Sequence, residues 1–114
     1  MADVRTVFAG KTPAALETYR ALVERIAAFG PFAEQAKTAS IHLARKSAFA
    51  GVHPRKAAIL LVIRTAQPIE SPRIRKLEKV SANRWHNEML LGAAAEVDAE
   101  VVGWLEQAYE LSGI

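Results

Sequence analysis

The chain of 114 residues contains no cysteine, and aromatic residues make up only 7% of it. The absence of cysteine excludes disulfide bonds, thiolate metal ligands and cysteine nucleophiles. The longest aliphatic run is residues 57–63, whereas a membrane-spanning helix needs about 20 apolar residues. The first ten residues include Asp3 and Arg5 and lack the apolar stretch of a secretory signal. These absences predict a cytoplasmic protein that does not bind membranes.

Basic residues are missing from the C-terminal part of the chain. Residues 85–114 hold six acids and no Lys or Arg, whereas residues 45–84 hold ten basic groups and two acids. Such a basic segment is typical of a surface that binds a polyanion, because clustered Lys and Arg release counterions from phosphates. An acidic segment that packs beside it and neutralises its charge would explain the same pattern. The sequence leaves both interpretations open.

Two helices are indicated near the ends of the chain. Thr12 is suited to the N-cap position, Pro13 to the first helical position and Gly30 to the stop, and the apolar residues between them recur at three- and four-residue spacings. The second helix follows Asp98, whose carboxylate can cap free amides, and ends near Gly113. Each helix therefore has one side to bury.

Between and after these helices the pattern changes to short strands. Within the strand indicated at residues 57–64, residues 58–63 are apolar at both odd and even positions, which predicts a central strand covered on both faces. Further strands are indicated at residues 32–38, 40–45 and 49–53, a loop at 65–72, a one-turn helix at 71–74, and a hairpin with arms 77–81 and 84–91. The order predicts an α+β, two-layer sandwich in which a four- to five-stranded, mostly antiparallel meander sheet carries the N- and C-terminal helices on one face. With no linker or repeat, residues 1–114 are interpreted as a single domain.

The three histidines are the candidates for metal or acid–base chemistry. If residues 46–49 form a tight hairpin, His42 faces His53 across two strands. His86 or Glu88 from a later strand would then offer a third ligand. This arrangement defines the alternative function, a small metal-dependent hydrolase-like enzyme. The same pattern is typical of sheet histidines that bind no metal.

Other catalytic signatures are missing. The sequence has no G-x-S-x-G, no phosphate-binding loop and no dinucleotide fingerprint. We therefore predict no catalytic residue, no metal and no cofactor.

The leading hypothesis is a non-enzymatic binding module that recognises an anionic ligand, a nucleic acid or a protein partner through the basic rim of its sheet. Arginine and lysine donate charge-assisted hydrogen bonds to phosphates and carboxylates. The aliphatic strand flanked by small residues also offers a flat face for a homodimer. The predicted ligand-binding residues are Lys37, Arg45, Arg73, Arg75, Arg84 and His86.

Several short segments also carry a family resemblance. They are Phe8-Ala9-Gly10-Lys11, Phe29-Gly30-Pro31, Lys37-Thr38, Ser71-Pro72-Arg73-Ile74, Val80-Ser81, Arg84-Trp85-His86, and Trp104-Leu105 followed by Ala108-Tyr109. With this spacing the chain resembles, over nearly its whole length, a small bacterial family known only as a domain of unknown function, which also occurs appended to proteins labelled as transport or nuclease-like. The resemblance implies a helix-flanked antiparallel sheet and assigns no catalytic residue.

Overall fold

The computed structural model describes residues 3–113 and has an α+β architecture. Six antiparallel strands form one sheet, and the two longer helices pack on one side of it. No helix within the described residues is both long enough and apolar enough to cross a membrane. The helices are α1 (Val4–Val7), α2 (Pro13–Ala27) and α3 (Ala99–Leu111), with a 3₁₀ turn at Ala94–Glu96, and the strands are β1 (Ala33–Ala36), β2 (Ile41–Ala44), β3 (Ala48–Pro54), β4 (Ile59–Thr65), β5 (Lys76–Ser81) and β6 (Arg84–Leu91).

The two long helices follow their sequence signals. Thr12 occupies the N-cap position of α2 and Pro13 its first turn, although the Thr12 side chain makes no capping hydrogen bond. The carboxylate of Asp98 caps α3 by accepting a hydrogen bond from Val101 N at 3.1 Å. Each helix buries one stripe against the sheet, as its apolar spacing predicts. The buried stripe residues are Ala15, Thr18, Tyr19, Leu22 and Ile26 in α2, and Val101, Leu105, Ala108 and Tyr109 in α3.

The sheet has the order β1-β2-β3-β4-β6-β5, so two parts of the predicted meander are wrong. The strand predicted after Pro31 is present as β1, but the sheet has six strands rather than four or five. After β4, the chain also forms β5 at the edge of the sheet before it returns as β6, which lies between β4 and β5. All six residues of β5 are exposed, whereas Asn87, Met89 and Leu91 of β6 are buried. The more apolar strand therefore takes the inner position, and the charged strand takes the edge, where water can solvate it.

The connection between β2 and β3 differs from the predicted tight hairpin. Residues 45–47 connect the strands, and a bulge interrupts the pairing between Leu43 and Ala44. His42 consequently pairs with Gly51, not with His53. The shift is two residues, and because side chains alternate along a strand, His42 and His53 stay on the same face.

Residues 71–74 form a turn, and the one-turn helix predicted there is wrong. Ile74 N donates to Ser71 O at 3.1 Å, which closes the turn, and the next residue is already beside β6 through Arg75 N and Glu88 O at 2.8 Å. Because Arg75 is already hydrogen-bonded to β6, no residue after Ile74 can extend this turn into a helix.

One face of the sheet has no helix packed against it in the described part of the chain, and we call it the open face. The alternating side chains of β4 explain why this strand is apolar at every position. Ile59, Leu61 and Ile63 belong to the core under the helices, and Leu60 and Val62 lie on the open face. No element of residues 3–113 supplies the second cover that the sequence predicts. Side chains of neighbouring strands leave Leu60 only 5% exposed.

Candidate functional site

Arg73, a predicted ligand-binding residue, is bound to the start of α3. Its Nη1 lies 3.0 Å from both carboxylate oxygens of Asp98 and 3.1 Å from Glu100 Oε1. Its Nη2 donates to Glu96 O at 2.9 Å. The acidic C-terminal segment therefore does neutralise part of the basic middle segment. Arg73 holds the turn before β5 against the N-terminus of α3.

Arg45 is likewise engaged with α3, at its other end. The guanidinium carbon lies 4.2 Å from the centroid of the Tyr109 ring, and Nη1 donates to Tyr109 O at 3.1 Å. A cation near the last turn of a helix interacts favourably with the helix dipole. Arg45 therefore joins the C-terminal end of α3 to the turn between β2 and β3.

The other predicted ligand-binding residues lie apart from these two. Arg75 Nε is 3.9 Å from Glu88 Oε2, Arg84 Nη1 donates to the preceding backbone oxygen at 2.7 Å, and His86 Nδ1 is 3.8 Å from a carboxylate oxygen of β5. Lys37 lies in the turn between β1 and β2, at the end of the sheet opposite to Arg45 and Arg84. The structure thus does not bring the six predicted residues together in one concavity.

A different set of basic residues does converge, at the sheet end that contains Lys37. A cavity of about 460 Å³ is formed there by the link between α1 and α2, the β1–β2 turn and the end of β3. Three basic side chains and two threonines contribute to its wall, and no carboxylate-bearing residue does. We call it the basic cavity; its lining residues are Thr6, Val7, Ala9, Lys11, Thr38, Ala39, His53, Pro54 and Arg55.

Backbone hydrogen bonds fix the segments around the basic cavity. Gly10 has a φ of 78°, a left-handed conformation that glycine adopts without strain, and it turns the chain into Lys11. Thr12 N then donates to Lys56 O at 2.7 Å, which joins the α1–α2 link to the β3–β4 turn. Within that turn, Arg55 N donates to Ala58 O at 2.8 Å. Lys11 and Arg55, distant in sequence, are therefore held on adjoining turns.

One carboxylate contacts a wall residue from outside. Asp3 Oδ1 accepts hydrogen bonds from Thr6 N at 2.9 Å and Thr6 Oγ1 at 3.1 Å, and so caps α1. The bond from the backbone of Thr6, followed by that from its hydroxyl, lowers the pKa of Asp3. The carboxylate of Asp3 is therefore already hydrogen-bonded at the start of α1.

The open face borders the basic cavity through His53. A Cβ atom placed on Gly51 would lie 3.8 Å from His53 Nε2 and 4.0 Å from His42 Cδ2, so both imidazoles lie beside this glycine. Arg64 pairs with His86 on the same face. Burial, then the charge of Arg64, lowers the pKa of both His42 and His86. The Arg64 charge therefore acts on histidines of two non-adjacent strands.

The three histidines do not assemble the ligand set of the alternative hypothesis. His86 lies across β4 from the other two and pairs with Arg64, whose positive charge opposes a cation there. Nowhere in residues 3–113 do three or more His, Asp or Glu side chains converge in a geometry that could hold a metal ion.

Two other cavities suit an anion less well. One, of about 340 Å³, lies between the loop after β4 and α3, and its wall contains Glu70 and no basic residue. The other, of about 390 Å³, lies along α2 and mixes two arginines with Glu24 and Glu34. The basic cavity differs from these two because its wall contains basic residues and no acidic residue. A further pocket also combines two arginines, Arg64 and Arg84, with no acidic residue, but its volume of about 10 Å³ is too small to hold an anion.

The free energy of unfolding is expected to decrease when the pH is lowered from 7.5 to 5.5. The pKa values of His42 and His86 are lowered from 6.5 in the folded state, so the unfolded chain binds more protons below pH 6.5. Their contribution to stability is present above pH 6.5 and is lost as the pH falls toward the folded-state pKa. Besides burial, the charges of Arg64, Lys37 and His53 lower the pKa of His42. Arg64 likewise lowers the pKa of His86, and Glu78 opposes that shift.

Urea denaturation at the two pH values measures this effect. The variant with His42→Gln and His86→Gln should lose most of the difference between pH 7.5 and 5.5. An unchanged pH dependence in the double variant would contradict the assignment to these two imidazoles.

Sequence reasoning named Lys37 as a ligand-binding residue and His53 as a possible metal ligand, but it missed Lys11, Thr38 and Arg55 as a group. The three residues belong to separate turns and form no motif. A weak signal was available, since Lys11 and Thr38 occur in segments that carry the family resemblance.

Comparison with known proteins supports the resemblance. No curated protein and no solved structure matches the chain significantly. A family model does match residues 4–112, which is nearly the whole chain and includes every residue that lines the basic cavity. The chain therefore belongs to the family described as Domain of unknown function (DUF5655).

Proposed function

We propose that this protein is a non-enzymatic binding module that takes an anionic group, a phosphate or a carboxylate, in the basic cavity. The observation that carries the proposal is the convergence of Lys11, His53 and Arg55 on one cavity whose wall contains no carboxylate. Lysine and arginine form strong, charge-assisted hydrogen bonds with such groups. The hydroxyls of Thr6 and Thr38 add neutral hydrogen-bonding groups to the same wall.

The dispersed arginines have a different role in this proposal. Arg73 and Arg45 bind acidic or carbonyl groups of α3 and its N-terminus, and so they stabilise the fold. The ligand would therefore bind in a cavity to which neither of these two side chains contributes. Lys37, in the β1–β2 turn, is the one predicted binding residue whose turn also helps to form the basic cavity.

Binding of inorganic pyrophosphate, measured by isothermal titration calorimetry, tests the proposal. Arg55→Gln is expected to weaken binding about tenfold, because it removes a charge-assisted hydrogen bond. Lys56→Gln is the matched control, since Lys56 is the next residue of the same turn, is exposed, and is not part of the cavity wall. An equal loss in both variants would indicate nonspecific attraction and contradict the proposal, as would a natural chain that does not bind pyrophosphate.

A further inference from the structure

The basic cavity continues onto the open face through a shared residue. His53 belongs to the cavity wall, and its ring also lies beside Gly51, together with the ring of His42. Gly51 has no side chain that could separate the two imidazoles. The surface next to the cavity is therefore formed by planar rings. Imidazole is among the side chains on which nucleobases stack.

The charge of this part of the open face has one sign. At the open-face positions of β1 to β4, the strand register places no carboxylate. Arg64 supplies a positive charge there, and its buried Nε has no hydrogen-bond partner in the protein. The open-face carboxylates, Glu78 and Glu88, are confined to β5 and β6. The half of the face nearest the basic cavity is thus complementary to an anion.

Arg64 lies too far from the basic cavity for one small anion to reach both. His53 pairs with Leu60, and Arg64 follows four residues later on the same strand. Because a strand rises about 3.3 Å per residue, the separation along the sheet is about 13 Å. A ligand that uses both groups must be extended and must repeat its negative charge.

Extended shape, repeated charge and planar groups occur together in single-stranded nucleic acid. Proteins bind such strands with basic groups that follow the phosphates and with ring side chains that stack on the bases. An acidic peptide has the charge but lacks planar groups to place against His42 and His53. The chemistry of the surface favours the nucleic acid.

We propose, on the basis of the anion-binding function above, that the open face between the basic cavity and Arg64 binds a single-stranded nucleic acid whose terminal phosphate occupies the basic cavity. The terminal phosphate contacts Lys11 and Arg55. The adjacent nucleotides lie against the two imidazoles that flank the buried Gly51, and a phosphate further along the strand contacts Arg64.

Fluorescence anisotropy with a labelled four-nucleotide oligothymidylate tests this inference. The strand is compared with and without a phosphate at its unlabelled end, in 5′ and 3′ versions. We expect one phosphorylated version to bind about tenfold more tightly than its unphosphorylated form. Arg64→Gln should reduce the slope of log affinity against log salt concentration by about 0.7, the value for one phosphate contact with a single strand.

Two variants separate the strand from its terminal phosphate. Arg64→Gln and Gly51→Val should each weaken oligothymidylate binding about fivefold or more, while pyrophosphate affinity stays within about twofold of the natural chain. Valine is favourable in strands, and a Cβ on Gly51 makes only ordinary contacts with the two rings. Lys79→Gln is the control, because Lys79 pairs with Trp85 on the opposite face of the same sheet.

The outcomes distinguish the two proposals. If pyrophosphate binding depends on Arg55 but neither Arg64→Gln nor Gly51→Val affects the oligothymidylate, the nucleic-acid inference is overturned and the anion-binding function stands. Equal affinity for a glutamate peptide of the same charge also overturns the inference alone. If pyrophosphate does not bind, both proposals fail.

Discussion

Replacing Asn87 with Ala is expected to lower the free energy of unfolding by about 2–4 kcal/mol. Asn87 is fully buried, and its side chain joins two strands to a loop. Oδ1 accepts from Ile69 N at 2.8 Å, and Nδ2 donates to Ile63 O at 2.9 Å and to Thr65 Oγ1 at 2.8 Å. Alanine would leave the buried Ile69 N–H without this partner and would open a small cavity.

Chemical denaturation of Asn87→Ala and Asn83→Ala measures this effect against a matched control. Asn83 lies in the exposed β5–β6 turn, and only its backbone oxygen takes part in a described hydrogen bond. Its substitution should change the free energy of unfolding by less than about 0.5 kcal/mol. Similar losses in both variants would show that the buried network contributes little.

Gly30→Ala is expected to destabilise the protein by about 2–5 kcal/mol through two separate effects. Gly30 has a φ of 143°, a conformation that residues with a side chain rarely adopt. An alanine Cβ would also lie 2.6 Å from Tyr109 Oη, which donates to Pro31 O at 2.8 Å. The Tyr109 ring cannot move away easily, because Phe29 and Phe49 pack against it with ring centroids at 5.5 Å.

The double variant Gly30→Ala, Tyr109→Phe separates the two effects. Without the hydroxyl, the nearest ring atom is Cζ, which lies at an ordinary 3.6 Å. The combined loss of stability should therefore be smaller than the sum of the single losses by about 1 kcal/mol or more. Strict additivity would assign the whole effect of Gly30→Ala to the backbone.

Much of the fold could be predicted because its signals are local. The N-terminal helix is marked by Thr12, Pro13 and an apolar stripe, and the C-terminal helix by Asp98. Strands β2 to β4 and the β5–β6 hairpin also lie where the pattern of apolar residues indicates. Four-residue helix α1 was missed, because its single turn has too few residues to show helical periodicity.

The order of the strands depended on contacts between distant residues. No short-range sequence pattern indicates that β6 lies beside β4. This pairing depends on the buried contacts of Ile59 with Leu91 and of Leu61 with Met89. The β2–β3 register was also missed, because a bulge changes the pairing without any glycine or proline to mark it.

The candidate site shows the same division. A charge count identified a basic segment in the middle of the chain, but it could not tell which side chains are already paired. Arg73 binds Asp98 and Glu100, whereas Arg55 and Lys11 face a common cavity. Whether an arginine stabilises the fold or remains available to a ligand depends on which distant groups lie near it.

The α+β class, the two long helices and the absence of cysteine chemistry can be read from the amino-acid sequence, because each follows from residue type or from the spacing of near neighbours. The strand order, the open face and the basic cavity depend instead on how distant parts of the chain pack together. Lys11, Thr38 and Arg55 meet because hydrogen bonds within and between separate turns bring those turns to one end of the sheet. Contacts of this kind join residues far apart in the chain, and short-range patterns carry no record of them.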